Sequence, residues 1–381
     1  MSTGNRVGVI GVSLHPEIVG HKRSLEEILF DVTQESLVDA GFSIETIDGI
    51  VVAANDQYDG RAISIMAASG SVGGVDRDIL STPSSGEHAF VLGALRILTG
   101  QFRAQLVVAW SPTETLQLSE VQRLGADPYY HRALPLDEAA SHALQATALC
   151  ATVPRLPEVA SMIATKNRRH GVIAYPGANR APSDRVSYWP LVGGTLAAPC
   201  AGAVALVLAS EDCIAERGIK QVAWVQGMGW ATESSFLGDR DLSVAPALVA
   251  AAQQAYRQAG IESPLASFDI AEVADATAYQ ELLAYEGLGF ATRDDWRRCV
   301  MDGSFAAEGK LPVNLSGGAL TLNPVFCSGA IRIAEVANQI RGRAGPHQKR
   351  AVRRGVAHAS SGFAMQYNTV VVLGSEEGAG A

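Results

Sequence analysis

Apolar residues in this chain fall into short continuous runs, and the stretches between the runs carry apolar positions at helical spacing. Val7-Gly8-Val9-Ile10-Gly11-Val12, Asp48-Gly49-Ile50-Val51-Val52-Ala53, Leu106-Val107-Val108-Ala109-Trp110 and Ala203-Val204-Ala205-Leu206-Val207-Leu208 are almost wholly apolar. Such runs predict strands covered on both faces. Ser24-Leu25-Glu26-Glu27 is a capping-box sequence opening a helix through Leu25, Ile28, Leu29, Val32 and Leu37, which Gly41 ends as a left-handed cap. Thr82-Pro83-Ser84-Ser85-Gly86 predicts a turn into a second helix, through Leu92, Leu95 and Leu98 to Gly100.

From about residue 120 to 195 the regularity breaks. Short helical patches alternate with proline, glycine and polar stretches such as Tyr175-Pro176-Gly177-Ala178-Asn179, which predicts an insertion. The second half then repeats the first in outline. Val222-Ala223-Trp224-Val225 reads as a strand, Ala247 to Ala259 as a helix ending at Gly260, and Phe268 to Val273 as a strand. Ser316-Gly317-Gly318 leads into a helix through Ile331, Ile333, Val336 and Ile340 to Gly342, and Val370 to Gly374 closes as a core strand. The alternation predicts mixed or mostly parallel sheets covered by helices, and the shared order predicts an internal duplication.

Composition narrows the partners. The 381 residues are 48% apolar and only 18% charged, with net charge −9. No run of Lys and Arg is longer than two residues, as in Lys349-Arg350 and Arg353-Arg354, so a nucleic-acid partner is set aside. No apolar run approaches the roughly 20 residues of a membrane span. The opening Ser2-Thr3-Gly4-Asn5-Arg6 shows no signal peptide, so a cytoplasmic location is expected. The cysteines Cys150, Cys200, Cys213, Cys299 and Cys327 are widely spaced, which suggests reduced thiols and no metal site.

Several segments resemble the thiolase superfamily, and its lipid-transfer-protein-like (sterol-carrier-protein-type) branch in particular. They are the run from Ala274-Asp275 through Tyr279 to Phe290, then Val313-Asn314-Leu315-Ser316-Gly317-Gly318-Ala319, Asn323-Pro324, Gln339-Ile340-Arg341-Gly342 and His358-Ala359-Ser360-Ser361-Gly362. Pro83-Ser84-Ser85-Gly86 resembles the family's nucleophile turn, and Asp48-Gly49-Ile50 its early strand. The resemblance implies an α/β thiolase fold: five α-β-α-β-α layers from two duplicated halves with an inserted loop domain. It places residues 1–119 plus 196–215 in the first half, 120–195 in the loop domain and 216–381 in the second half. It also implies a dimer and an acyl-CoA thioester ligand, with coenzyme A belonging to the substrate and no tightly bound cofactor.

The four positions of Claisen chemistry are changed. A thiolase holds a thiolate at a helix N-terminus, where the dipole and backbone N–H groups lower its pKa; that position falls on Pro83. Ser84 and Ser85 stand beside it, with His88 as the nearest base. The simpler reading makes Ser84 a helix cap and packs His88 on the first turn. The family's first histidine falls on Ala274, with Asp275 kept beside it, and the branch's tyrosine alternative is absent there. Tyr279, on the Asp275 face if both are helical, is either a proton-transfer group or a core tyrosine. The family's Gly-His-Pro is Leu322-Asn323-Pro324, where Asn323 is an oxyanion donor or a loop residue bonding the local backbone. His358 stands in the final catalytic segment as a chemical or a buried histidine, and Cys327 reads as a small core residue.

Three activities fit. The leading one is retro-aldol cleavage of a β-hydroxyacyl-CoA, with a steroid or other bulky side chain. Tyr279, Asp275, His358 and Asn323 would be catalytic, and Ser84, Ser85, Gly86, Gly317, Gly318 and Gly362 would hold substrate. Cysteine-less members that this chain resembles work with a small partner carrying an OB-fold and a zinc ribbon, which implies a homodimer or a heteromer with such a protein. The second is a catalytically silent scaffold or acyl-CoA-binding subunit; the third is an acyltransferase with a serine nucleophile. Tyr188-Trp189-Pro190 in the insertion is read either as pocket lining or as packing.

Overall fold

A computed structural model describes residues 6–16, 23–60, 62–111, 118–177, 188–192 and 194–376. The expected strands form as β1 (Val7–His15), β2 (Gly49–Ala53), β4 (Ala104–Ser111), β5 (Gly202–Ser210), β6 (Ala223–Thr232), β7 (Ile270–Glu272) and β9 (Tyr367–Gly374). Two more join them, β3 (Asp78–Thr82) and β8 (Arg354–Ser361). The strand order is β3-β2-β4-β5-β1-β6-β9-β8-β7.

That order contains the duplication. Reading inward from the ends, β2-β4-β5-β1 and β7-β8-β9-β6 share one pattern: a parallel first pair, then two antiparallel pairs. The first half carries the extra edge strand β3, parallel to β2. Among the described residues, the half-sheets are joined where Gly8 and Val9 of β1 meet Trp224 and Ala223 of β6.

Helices cover both sheets and fill the space between them. Helix α1 (Leu25–Ala40) packs outside β1 and β5; its N-terminus is capped by Ser24 with Glu27 in a complete capping box, and Gly41 at φ +68° ends it. Helices α2 (Gly86–Leu98) and α9 (Ser328–Arg341) lie between the half-sheets. Phe90, Ala94 and Ile97 of α2 and Ile331 and Ala334 of α9 share one core with Val51, Leu206 and Val371. Helix α6 (Pro246–Ala259) covers β6 and β9 from outside. The result is the α-β-α-β-α arrangement that the resemblance implied. Strands such as β5 are apolar throughout because they are buried on both faces.

Between β4 and β5 the structure corrects the sequence reading. The helix α3 (Leu118–Leu124) is short, but α4 (Glu138–Thr152) and α5 (Leu156–Ala174) are long and regular. The apparent breakers have other uses. Pro157 sits in the first turn of α5, where a missing N–H costs nothing, and a side chain at Gly171 would collide with Thr321. Both helices pack on the second half, where Ala146, Leu149, Val159 and Ile163 share a core with Leu282, Leu283 and Val313.

Two further expectations shift. Helix α7 (Ala278–Gly287) starts after Thr277, which is extended and accepts a bond from the Gln280 N–H at 3.2 Å. Asp275 therefore lies outside the helix and shares no face with Tyr279. The helix expected after Ser316-Gly317-Gly318 comes in two pieces, α8 (Gly318–Thr321) and α9. In the gap, Asn323 forms a bridge with Pro199, and its carbonyl accepts the Cys200 N–H at 2.9 Å.

Candidate functional site

A cavity of about 530 Å³ opens where these connections meet. Its wall is built from the turn into α2, the segment after β7, the gap between α8 and α9, the β8–β9 hairpin and the first turns of α4. Pro83, Ala274, Asn323 and the Ser360-Ser361-Gly362 run all line it. The positions that the resemblance marked as chemical, far apart in the chain, are thus brought to one place.

At the α2 end, the Ser84 hydroxyl pairs with Thr82 Oγ1 at 2.6 Å, so it does not cap the helix. Ser85 is the N-cap residue and makes no side-chain cap bond. His88 lines the cavity with its Nδ1 buried and without a partner, and no bond among the described residues joins its ring to either serine hydroxyl. Gly86 lies behind the wall: its N–H donates to Phe326 O at 3.0 Å, and a Cβ there would stand 2.8 Å from Ala109 and 2.9 Å from Ala330. It is a close-approach glycine between α2 and α9, not a lining residue.

Asp275 reaches the cavity but is occupied. Its carboxylate accepts the N–H groups of Ala319 at 2.6 Å and Leu320 at 3.2 Å and the Asn167 amide at 2.8 Å. Burial, helped by nearby Glu281, pushes its pKa up to about 7. Gly317 and Gly318, at φ +89° and +65°, form the turn that it caps and do not line the cavity. Gly362, at φ +73°, turns the β8–β9 hairpin at the cavity wall. The Asn323 amide faces the cavity with no hydrogen bond to a described residue.

Tyr279 and His358 lie elsewhere. Tyr279 is fully buried in the second-half core; its hydroxyl donates to Pro190 O at 3.4 Å, and burial raises its pKa. His358 sits mid-strand in β8, Nε2 paired with Asn368 Oδ1 at 3.0 Å, and burial lowers its pKa to about 4. Neither lines the cavity. Tyr188, Trp189 and Pro190 do not line it either; the Tyr188 hydroxyl donates to Asp137 at 3.2 Å. No cysteine is among the lining residues, and Cys327, behind the wall, has a thiol that burial holds well above its usual pKa.

Titratable groups that the sequence reading missed come from the insertion. Asp137 caps α4 through the Ala140 N–H at 2.8 Å, and the next turns present Glu138 and His142 to the cavity. Burial drives Glu138 up to about 7, with the Tyr58 hydroxyl 3.4 Å away, and drives His142 down to about 4. The available signal was the spacing of four between Glu138 and His142, which puts both on one helix face. Among the described residues no group of His, Cys, Asp and Glu is disposed to hold a metal ion.

Fold and cavity together define a thiolase-like α/β protein. A family model described as thiolase C-terminal domain-like matches residues 229–375. The acetyl-CoA acetyltransferase of Methanothermobacter thermautotrophicus is 32% identical over 163 residues, covering 42% of each chain. Sterol carrier protein 2 of Oryctolagus cuniculus is 29% identical over 163 residues, covering 41% of this chain and 29% of its own. The chain thus spans less than half the length of either relative in these matches. A solved structure titled Ltp2-ChsH2(DUF35) aldolase superposes with TM-score 0.79 at 18% identity, covering 97% of this chain and 98% of its own. Residues 229–375 thus resemble a thiolase C-terminal domain, and the chain as a whole has the thiolase fold of that solved structure.

Proposed function

We propose that the protein is an acyl-CoA carbon–carbon lyase that cleaves a β-hydroxyacyl-CoA by retro-aldol chemistry. One observation carries this reading: among the described residues, the cavity where the superfamily's chemical positions converge is lined by no thiol, yet carries a carboxyl with a pKa of about 7 and an Asn323 amide with no hydrogen bond. Retro-aldol cleavage needs no covalent acyl-enzyme. Glu138 takes the proton of the β-hydroxyl, the oxygen's electrons form the carbonyl of a departing aldehyde or ketone, and the Cα–Cβ bond breaks. Its electron pair forms the enolate of the shortened acyl-CoA, which then takes the proton at Cα. Asn323 donates from its amide to the enolate oxygen. Asp275 is a positioning residue that fixes the turn before Asn323, and Ser84, Ser85 and Gly362 form substrate-facing wall.

The solved aldolase names two proteins, Ltp2 and ChsH2(DUF35). That pairing supports a small partner, of the OB-fold and zinc-ribbon kind, for this chain as well. The second reading, a silent acyl-CoA-binding subunit, draws support from the burial of Tyr279 and His358 away from the cavity. A serine acyltransferase has less support, because His88 is bonded to neither serine hydroxyl.

The test is to purify the protein with any small protein that accompanies it, supply β-hydroxyacyl-CoA esters and follow both fragments by mass spectrometry. We expect a shortened acyl-CoA and a carbonyl product. The kcat should rise with pH to a plateau above about 7, because Glu138 must be ionised. Glu138→Gln and Asn323→Ala should each lower kcat by about a hundredfold or more. CoA esters that bind but are not cleaved, with the partner confirmed present, would shift the assignment to the silent subunit.

A further inference from the structure

One wall of the cavity carries a hydrogen-bond chain whose direction is fixed from its far end. The carbonyl of Ala364 can only accept, and it takes a bond from Gln145 Nε2 at 3.4 Å. Gln145 Oε1 is therefore the acceptor of its amide, and it receives Gln280 Nε2 at 3.1 Å. The same Gln280 nitrogen donates to His142 Nδ1 at 3.0 Å. An imidazole that accepts at Nδ1 carries its proton on Nε2, and burial keeps this ring neutral.

Two polar atoms are left over at the near end. Both hydrogens of the Gln280 amide are spent, and its Oε1, in a side chain that is 1% exposed, has no partner among the described residues. The other is the His142 Nε2–H, for which no acceptor is found among the described residues. Gln280 is also diverted from its expected use. Thr277-x-x-Gln280 is a capping-box sequence, but the glutamine side chain turns away from the cap toward α4. A buried acceptor left empty is unfavourable, so one in a cavity wall marks a place for a ligand's donor.

We propose that His142 and Gln280 form a hydroxyl subsite for the acyl group: the ligand's hydroxyl oxygen accepts from His142 Nε2, and its hydrogen is donated to Gln280 Oε1. Of the three oxidation states of the acyl carbon, a hydroxyl alone satisfies both atoms; a ketone serves only His142, and a methylene serves neither. Glu138 precedes His142 by one turn of the same helix, so the hydroxyl is held on the wall that carries the base, and its O–H turns from Gln280 to Glu138 for the cleavage step. The inference rests on the acyl-CoA reading and names the ligand within it: a hydroxyacyl thioester in preference to its saturated or keto counterpart.

Calorimetric titration in the cleavage-impaired Glu138→Gln protein tests it, using 3-hydroxyacyl-, 3-ketoacyl- and saturated acyl-CoA esters of one chain length. The hydroxy ester should bind about tenfold more tightly than the saturated one, with the keto ester between. Adding His142→Phe or Gln280→Met should bring the three affinities together while leaving the saturated ester's Kd unchanged. The three-ligand comparison needs neither added variant, so it stands even where one of them misfolds. Equal affinities for the three esters overturn the subsite and leave the acyl-CoA reading intact. Failure of every CoA ester to bind, in wild type as in the variant, overturns both.

Discussion

Glu138 shows what a single half-buried carboxyl in a cavity wall does to the whole protein. Its pKa is pushed from 4.5 up to about 7, so the folded chain holds this proton more tightly than the unfolded chain does. Between those two values unfolding releases the proton, and stability falls as pH rises through the window. Glu138→Gln carries no such charge. Its thermal midpoint should therefore gain on that of wild type from pH 5 to pH 8 in paired melts; a constant gap would mean that burial does not perturb the group. The residue escaped the sequence reading because the insertion offers no motif. Asn323, Ser84, Ser85 and Gly362 were legible because family order survives around them, and all four reach the cavity. Tyr279 and His358 sit in equally familiar runs, but order along the chain does not say which way a side chain faces. A cap at Thr277 and a mid-strand place in β8 turned them into the core.

At the scale of elements, the legible features were those with a local physical cause. The capping box at Ser24, the left-handed Gly41 and the wholly apolar β5 need no knowledge of the rest of the molecule. β3 was missed because it is a short, largely exposed edge strand with no apolar run, and α4 and α5 because their prolines and glycines answer to position and packing. Gly86 belongs with these. The start of α2 approaches α9 closely enough that one methyl group is excluded. Gly86→Ala should destabilise the fold by about 1–3 kcal/mol, read from the denaturant midpoint. An unchanged midpoint would show that α2 moves aside freely.

The whole molecule ends its sheet on one open side. Among the described residues β3 pairs only with β2, and Ile63, Met66, Val75 and Leu80 around it are exposed. An apolar, unpaired edge of this kind invites a second strand. We expect a homodimer through β3 at micromolar concentration, by sedimentation equilibrium, and expect Leu80→Lys to weaken it. A wild-type monomer under those conditions sinks the proposal. The duplication itself was legible as repeated order, because two similar halves repeat their glycine-ended helices and closing strands. The layering came only from the resemblance.

The cavity's walls are drawn from very distant parts of the chain: Ser361 bonds Glu87, 274 positions away, and Ala364 bonds Ser141, 223 positions away. Contacts of such separation form late, because the intervening chain must first be ordered. On the ribosome, Pro83 and Ser84 would emerge long before Gly362 and Tyr367 could close over them. Binding competence would thus arrive only with the last strands, and a ligand that bridges these walls would fasten the two halves together, raising the cost of opening either one.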